Sequence, residues 1–223
     1  MGLFDYFRKK KGQANPSSRA QSQAQPLIPS ALPYDLENII SMSVGSGIFL
    51  RPYDYGNLIE DFDVDNRVLS IFIDDDVKKF LPGFGYLNTD ARKYFESLVF
   101  KTEKGLSITY CVRINGVLTG MIFLDTPFFN NTTIGLNKWT ISFFLIPPLK
   151  GKGIMTGILQ RILFILRNKL GVNDIYALVD KNNTKSIHVL ENTFFERTNI
   201  SDDHNKSYTY RCNLERINFQ PRP

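Results

Sequence analysis

Apolar residues follow two different periods along the chain from residue 47 onward. Within residues 154–170 they recur every three or four positions, which predicts an amphipathic helix that Gly171 ends. Within residues 138–146 the pattern alternates and both alternating sets are largely apolar, so this segment is predicted to be a central strand covered on both sides. The apolar positions that define the helix are Ile154, Ile158, Leu159, Ile162, Leu163, Leu166 and Leu170.

An Asn-Gly pair joins two other segments that are rich in β-forming residues. Asn115 and Gly116 lie between SITYCVRI (107–114) and VLTGMIFLD (117–125), and this dipeptide between such segments is a strong hairpin signal. The same kind of pattern predicts further strands at 47–54, 174–180 and 207–215.

Helical patterns account for most of the other ordered segments. Residues 55–80 are predicted to be mostly helical, with breaks at the acidic segments Asp63-Val64-Asp65 and Asp74-Asp75-Asp76. The remaining predictions are a turn at 82–85, a helix capped by Asn88 or Thr89 and running to about Lys101, a loop at 126–137 and a short amphipathic helix within 182–196. Strands and helices alternate in an order that predicts a mixed α/β layer fold.

The N-terminal 34 residues differ in character from the rest. Residues 12–33 are rich in Gln, Ser, Ala and Pro without an apolar period, which predicts a disordered linker. Leu3, Phe4 and Phe7 precede it beside a basic cluster, and this start is either a weak membrane or partner anchor or simply unstructured. The predicted division is a basic tail and linker at 1–34, an unassigned lead-in at 35–47 and one domain at 48–223.

Charge and composition limit the classes of function. The net charge is +5, but residues 1–34 carry +4 of it, so the domain itself is nearly neutral and a nucleic-acid partner is not expected. No apolar run is long enough to cross a membrane and no signal peptide is evident. The two cysteines, Cys111 and Cys212, form neither a disulfide framework nor a metal motif, so we expect a cytoplasmic protein without a metal.

A glycine-rich loop precedes the long predicted helix. Backbone N–H groups at a helix N-terminus favour an anion, and Gly151 and Gly153 let the backbone approach it closely. A nucleotide P-loop does not fit, because Gly157 comes one position late and Ile158 replaces the lysine. A dinucleotide fingerprint does not fit either, since Thr156 occupies its third glycine position.

Lys150-Gly151-Lys152-Gly153-Ile154-Met155 resembles instead the Q/R-x-x-G-x-G/A loop of the GNAT acetyltransferase superfamily. WTISFFLIPPLKGKGIMTGIL (139–159) is similar to the RimJ/RimL-type ribosomal-protein N-terminal acetyltransferases, and LVDKNNTKSIHVLENTFFE resembles their V-x-x-x-N-x-x-S-x-x-V-L-E-x-x-G-F motif. The resemblance covers about residues 48–214. It implies a central, mostly antiparallel mixed sheet flanked by helices and splayed between the fourth and fifth strands.

The resemblance also implies a donor and roles for individual residues. Acetyl-CoA is the implied cosubstrate, with its pyrophosphate on the loop backbone and its pantetheine arm along the edge of the fourth strand, around Phe144. Asn183 matches a residue that contacts the CoA arm, with a plain helix cap as the alternative. Ser186 matches the position near the thioester sulfur and is predicted to protonate the leaving thiolate, directly or through water, with close helix packing as the alternative. The implied cofactor-binding residues are Leu145, Ile146, Lys150, Gly151, Lys152, Gly153, Ile154, Met155, Thr156 and Asn183.

Three positions depart from the family pattern, and Lys150 in place of Gln or Arg is the mildest of these departures. Thr140 stands where many relatives place a glutamate, and a threonine is no base at neutral pH. The substitutes considered are Asp125, Glu191, His204 or a water chain, whereas His188 is predicted to lie on a helix surface. Phe194 replaces a glycine, which alters a turn.

The implied activity is transfer of an acetyl group to a primary amine. The acceptor is a protein N-terminus or a small-molecule amine, bound by loops predicted at 60–90 and 197–207. The acidic stretch 61–76 either attracts a cationic amine or is ordinary surface. The rival functions are a non-catalytic acyl-CoA-binding or interaction module and acetylation of aminoacyl-tRNA, and the oligomeric state stays open.

Overall fold

A computed structural model describes residues 39–45, 47–73, 75–81, 87–129, 138–201 and 206–218. The predicted tail and linker, the turn at 82–85, most of the loop at 126–137 and His204 lie outside these ranges. Within them, no helix is both long and apolar enough to cross a membrane.

Within these ranges, eight strands form one sheet in the order β1-β2-β3-β4-β5-β6-β8-β7. Neighbouring strands are antiparallel except β5 and β6, which are parallel. The mostly antiparallel mixed sheet of the prediction is therefore confirmed. The strands are β1 (Met42–Gly45), β2 (Ile48–Pro52), β3 (Ser107–Ile114), β4 (Val117–Asp125), β5 (Trp139–Leu145), β6 (Asp174–Asp180), β7 (Glu196–Ser201) and β8 (Ser207–Asn213).

The helices fall into two groups along the chain. In the part of the chain that the structure describes, four lie between β2 and β3: α1 (Tyr55–Glu60), α2 (Phe62–Phe72), α3 (Asp75–Phe80) and α4 (Leu87–Glu103). Two more follow β5 and β6, namely α5 (Ile154–Asn168) and α6 (Thr184–Glu191). The prediction of a helical break at residues 63–65 is wrong, because these residues lie inside α2 and the break comes earlier, at Asp61.

Each face of the sheet carries its own apolar core. Trp139, Ile141 and Leu145 of β5 pack in the cluster that contains the buried side of α5. Phe144 belongs to the second cluster, with residues of α1 to α4 such as Phe95. The predicted covering of β5 on both sides is confirmed.

Two strands were not predicted from the sequence. β1 lies in the unassigned lead-in, and β7 lies in the segment expected to be a loop at 197–207. Both are edge strands of the sheet. β1 is only four residues long and β7 lacks an alternating apolar pattern, so neither gives a clear strand signal in the sequence.

Phe194 occupies a turn position where the family pattern has a glycine. Its φ of 69° is left-handed, a conformation that costs a bulky residue energy and a glycine almost nothing. The turn between α6 and β7 therefore holds Phe194 in a conformation that glycine adopts more readily.

Candidate acetyl-CoA site

β5 and β6 separate soon after they begin. Their pairing joins Trp139 to Ile175 and Thr140 to Tyr176, and we call this the split point. Beyond it β5 runs on to Leu145 and β6 to Asp180, and both line a cleft of about 680 Å³. This is the predicted splay, because β5 and β6 are the fourth and fifth strands when the unpredicted β1 is left out.

Hydrogen bonds to β4 show which backbone groups of β5 point toward the cleft. The Ile146 N–H donates to the Thr119 carbonyl oxygen at 2.9 Å, and the Ile146 carbonyl accepts from the Leu149 N–H at 3.1 Å. The Phe144 carbonyl also points toward β4, since a Cβ on Gly120 would collide with it. Because successive residues of a strand direct their N–H and C=O groups to opposite sides, the Leu145 backbone points toward the cleft.

This alternation leaves Leu145 as the predicted β5 residue whose backbone can contact a ligand in the cleft. Both backbone groups of Ile146 are engaged and Ile146 does not line the cleft, whereas Leu145 does. The other predicted residues of the site, from Lys150 to Thr156 together with Asn183 and Ser186, all line the same cleft. Residues from three separate segments of the chain are thus brought to one place.

Two left-handed glycines shape the loop at the start of α5. Gly151 has φ 76° and Gly153, the residue before the helix, has φ 72°, a region that favours glycine. Among the residues that the structure describes, no side chain caps the first turn of α5, and that turn contains no acidic residue. The N–H groups of the first turn, which have no acceptor within the helix, therefore open into the cleft with the positive end of the helix dipole.

Charged side chains line the mouth of the cleft. Lys150, Lys152 and Lys185 supply positive charge there. Lys185 Nζ lies 3.1 Å from Asp76 Oδ2, which joins α6 to α3. Of the acidic stretch 61–76, Asp76 lines the cleft, whereas Asp61 and Asp65 are held by Arg113.

Asn183 and Ser186 meet at the start of α6. Asn183 Oδ1 accepts from the Ser186 N–H at 3.2 Å and so caps this helix. Both residues are half-buried in the cleft wall. The helix-cap interpretation of Asn183 is confirmed, and its contact with a CoA arm stays a prediction.

The residues considered as bases lie at different places. Thr140 Oγ1 donates to Asp125 Oδ2 at 3.4 Å. Glu191 accepts from the Tyr210 hydroxyl at 2.9 Å, and burial together with this carboxylate raises the Tyr210 pKa to about 12. Neither Asp125 nor Glu191 lines the cleft, whereas His188 of α6 does. Within the described ranges no group of three or more His, Cys, Asp or Glu is placed to hold a metal.

Sequence reasoning missed one wall of the cleft. Val77, Phe80 and Leu81, from α3 and its end, line it opposite α6. These residues lie about a hundred positions before α6, and no local spacing links the two helices. Only a tertiary structure places them together.

Comparison with known proteins agrees with this architecture. A family model described as an acetyltransferase (GNAT) domain matches residues 57–196. No curated protein matches the chain in sequence.

Solved structures share the fold at low identity. A RimL ribosomal L7/L12 alpha-N-protein acetyltransferase in complex with coenzyme A has a TM-score of 0.59 and 13% identity, covering 78% of this chain and 98% of that one. The microcin C7 self-immunity acetyltransferase MccE, in complex with acetyl-CoA and AMP, has a TM-score of 0.61 and 12% identity, covering 79% and 99%. Mycobacterium smegmatis RimJ has a TM-score of 0.57 and 16% identity, covering 76% and 83%. At such identities the likeness shows the fold alone.

Proposed function

The chain belongs to the GNAT acetyltransferase family, and from that premise we propose that it transfers the acetyl group of acetyl-CoA to a primary amine. The observation that carries the proposal is the uncapped start of α5, preceded by two left-handed glycines, at the mouth of the cleft between β5 and β6. This arrangement fits a diphosphate at the helix N-terminus and a long flexible arm between the strands.

Each part of acetyl-CoA has a proposed place. The backbone N–H groups of residues 151–156 bind the pyrophosphate, and Lys150 and Lys152 add positive charge beside it. The pantetheine amides lie along β5 and pair with the backbone of Leu145. Asn183 contacts the arm from the opposite wall while its Oδ1 caps α6.

The reaction is a direct attack within a ternary complex. The neutral amine nitrogen attacks the thioester carbonyl carbon, the new C–N bond forms, and the C–S bond breaks. The leaving thiolate takes a proton from the Ser186 hydroxyl or from a water that it holds. The proton that the nitrogen loses when it becomes an amide then restores that hydroxyl or water. An N-terminal amine suits this step, because its pKa of about 8 makes it easier to deprotonate than a lysine side chain.

The preferred acceptor is a protein N-terminal amine. The support is the resemblance of both cleft motifs to the RimJ/RimL branch and the names of the RimL and RimJ structures that share the fold. A small-molecule amine is the alternative acceptor, favoured by the similarity to MccE. We also propose a cytoplasmic location, because both cysteines are free thiols.

A non-catalytic acyl-CoA-binding module is the alternative function. The observation in its favour is Thr140 at the position where the family pattern has a glutamate. The two functions predict equal binding of acetyl-CoA and different turnover. Release of the CoA thiol is therefore measured with peptides starting with serine or alanine, with spermidine and with an amino sugar, and binding without turnover on any of these amines favours the module.

The donor site is tested by a charge placed at the helix start. Gly153→Glu sets a carboxylate against the pyrophosphate, so we expect acetyl-CoA binding to weaken by about tenfold or more, as measured by titration calorimetry. Gly171→Glu is the matched control, because Gly171 has a similar φ of 64° and equally open space around its Cβ but lies beyond the other end of α5.

The control separates backbone strain from charge. Both variants impose a left-handed conformation on a residue with a side chain, so both are expected to lose a similar part of the thermal stability. Only Gly153→Glu is expected to lose binding. Normal binding by a folded Gly153→Glu protein would remove the basis for the proposed donor site.

A further inference from the structure

A row of polar side chains crosses the sheet at the split point. Strand register places Ser107 opposite Asp125, Asp125 opposite Thr140, and Thr140 opposite Tyr176. Side chains directly opposite each other on neighbouring strands lie within about 5.5 Å at their Cβ atoms. The row therefore brings one carboxylate next to the strand position where the two sides of the cleft diverge.

The row faces away from α5. Trp139 and Ile141, on either side of Thr140, pack in the core beneath α5. Side chains alternate along a strand, so Thr140 and its cross-strand partners lie on the opposite face of the sheet. Thr140 itself is 6% exposed, whereas Tyr176, at the β6 end of the row, is half-buried, so the row reaches the protein surface beside Thr140.

Asp125 and Thr140 are in direct contact within this row. Thr140 Oγ1 donates to Asp125 Oδ2 at 3.4 Å, which is long for a hydrogen bond between oxygens. Hydrogen bonds that serve a proton transfer are often long before substrate binds and shorten in the complex. Ser107, which is buried, donates to Asp125 from the other side and fixes its orientation.

The surroundings of Asp125 favour proton uptake. Burial raises the pKa of its carboxyl, and the Ser107 and Thr140 hydrogen bonds and the Lys101 charge, from α4, oppose that rise. Other charged groups along the row are occupied elsewhere. Lys138 Nζ lies 4.6 Å from the centre of the Tyr176 ring, and Arg211 is paired with Asp174 at 2.8 Å.

We propose that Asp125 receives the proton of the acceptor ammonium through the Thr140 hydroxyl, so that this pair does the work of the glutamate that the family pattern places at residue 140. This inference rests on the proposed acetyltransferase function. The amine proton passes to Thr140 Oγ1 as the Thr140 hydroxyl proton passes to Asp125, and the neutral amine then attacks the thioester. Asp125 ends protonated and Thr140 is unchanged. The thiolate takes a proton from Ser186 or a water it holds, and the second proton that the nitrogen loses on becoming an amide restores that group.

The test compares matched variants at both positions. Asp125→Asn removes the proton acceptor, and Thr140→Val removes the hydroxyl while keeping the shape. Each is expected to lower kcat about 100-fold or more, with little change in the KM for acetyl-CoA. Asp125→Glu and Thr140→Ser keep the chemistry and are expected to retain most of the rate. The assay follows CoA release with a peptide starting with serine or alanine.

The dependence of kcat/KM on pH distinguishes a proton acceptor from a residue that only supports the structure. In the wild-type protein, kcat/KM is expected to fall as pH decreases through the raised pKa of Asp125, since the carboxylate must be ionised to accept a proton. In Asp125→Asn this decrease is expected to disappear, so that the pH dependence reflects only the ionisation of the amine. Adding Thr140→Glu to Asp125→Asn moves the carboxylate one strand across the row and is expected to restore part of the rate.

Stability provides the control for folding. Because burial raises the folded-state pKa of Asp125, its ionisation lowers the free energy of unfolding as pH rises from about 4 through the raised value. Asp125→Asn is thus expected to be at least as stable as the wild type at pH 7.5, with a smaller difference below pH about 4. A variant that is stable and inactive supports the proposal.

The outcomes separate this inference from the function on which it rests. A folded Asp125→Asn protein with the wild-type rate and pH profile overturns the Asp125–Thr140 pair and leaves the acetyltransferase function intact. Full activity of Thr140→Val overturns the route through the hydroxyl. Absence of turnover by the wild-type protein on every amine probe overturns the proposed function, and this inference with it.

Discussion

Arg113 binds two carboxylates inside the protein. Its guanidinium donates to both carboxylate oxygens of Asp65, at 3.0 and 2.6 Å, and to Asp61 Oδ2 at 3.0 Å. Asp65 is fully buried and Arg113 is 8% exposed. The pair therefore connects α2 to β3 on the face of the sheet opposite α5.

Removal of this arginine is expected to destabilise the fold strongly. Arg113→Met leaves the Asp65 charge buried without a partner, which typically costs about 3–5 kcal/mol. Urea unfolding measures the change in the free energy of unfolding. The double variant Arg113→Met with Asp65→Leu removes both charges and is expected to recover most of the loss, whereas a single variant within about 1 kcal/mol of wild type would contradict the role of the pair.

The sequence predicted the local conformation of single residues where the type of amino acid favours one conformation. The glycines at 151 and 153 occupy left-handed positions, and Asn183 caps a helix. The contacts of Asp61 and Asp65 with Arg113, and of Asp125 with Thr140, were not readable, because these partners lie on other elements.

At the scale of elements, α3 and α6 form opposite walls of the cleft. Asp76 and Lys185 bridge them, and both side chains are at least half exposed. An exposed ion pair contributes little to stability because water and salt screen it. Its charges still act on an anion that enters the cleft beside Lys185.

The two members of this bridge are expected to affect acetyl-CoA binding in opposite directions. Lys185→Met removes a positive charge and weakens binding a few-fold, whereas Asp76→Asn removes a negative charge, releases Lys185 and strengthens it. Titration calorimetry at low and high salt checks both signs, and the two effects are expected to shrink as salt rises. Weaker binding in both variants would indicate instead that the bridge itself holds the cleft in shape.

At the scale of the whole molecule, the boundary of the folded domain lies before β1. Met42 of β1 is buried in the core beneath α5, and β1 pairs with β2. The domain therefore includes part of the lead-in at 35–47, which the prediction left unassigned. The predicted tail at 1–34 lies outside the described residues.

Two truncations locate this boundary. A chain that begins at residue 35 is expected to keep the melting temperature and acetyl-CoA affinity of the full chain, because the removed segment has the composition of a disordered linker. A chain that begins at residue 48 loses β1 and the buried Met42 side chain, and is expected to lose about 2 kcal/mol or more. Calorimetric melting of both chains checks the prediction. Equal melting temperatures of the two chains would contradict it.

The sequence by itself determined the features whose signals lie within one segment. These are the apolar period of α5, the Asn115-Gly116 hairpin between β3 and β4, and the glycine loop with its helix start. Each depends on neighbouring residues, whose backbone preferences and spacing act before any tertiary contact forms. Together with the motif at 178–196 they indicated the family and the donor site.

Only the tertiary structure decided which distant residues meet. It paired the edge strands β1 and β7, placed α3 opposite α6, and set Asp125 beside Thr140 although 15 positions separate them. Strand register and helix packing fix such contacts, and no local period encodes the identity of a partner on another element. The donor loop was therefore evident in the sequence, whereas the proton acceptor proposed for the amine emerged only from the register of β4 and β5.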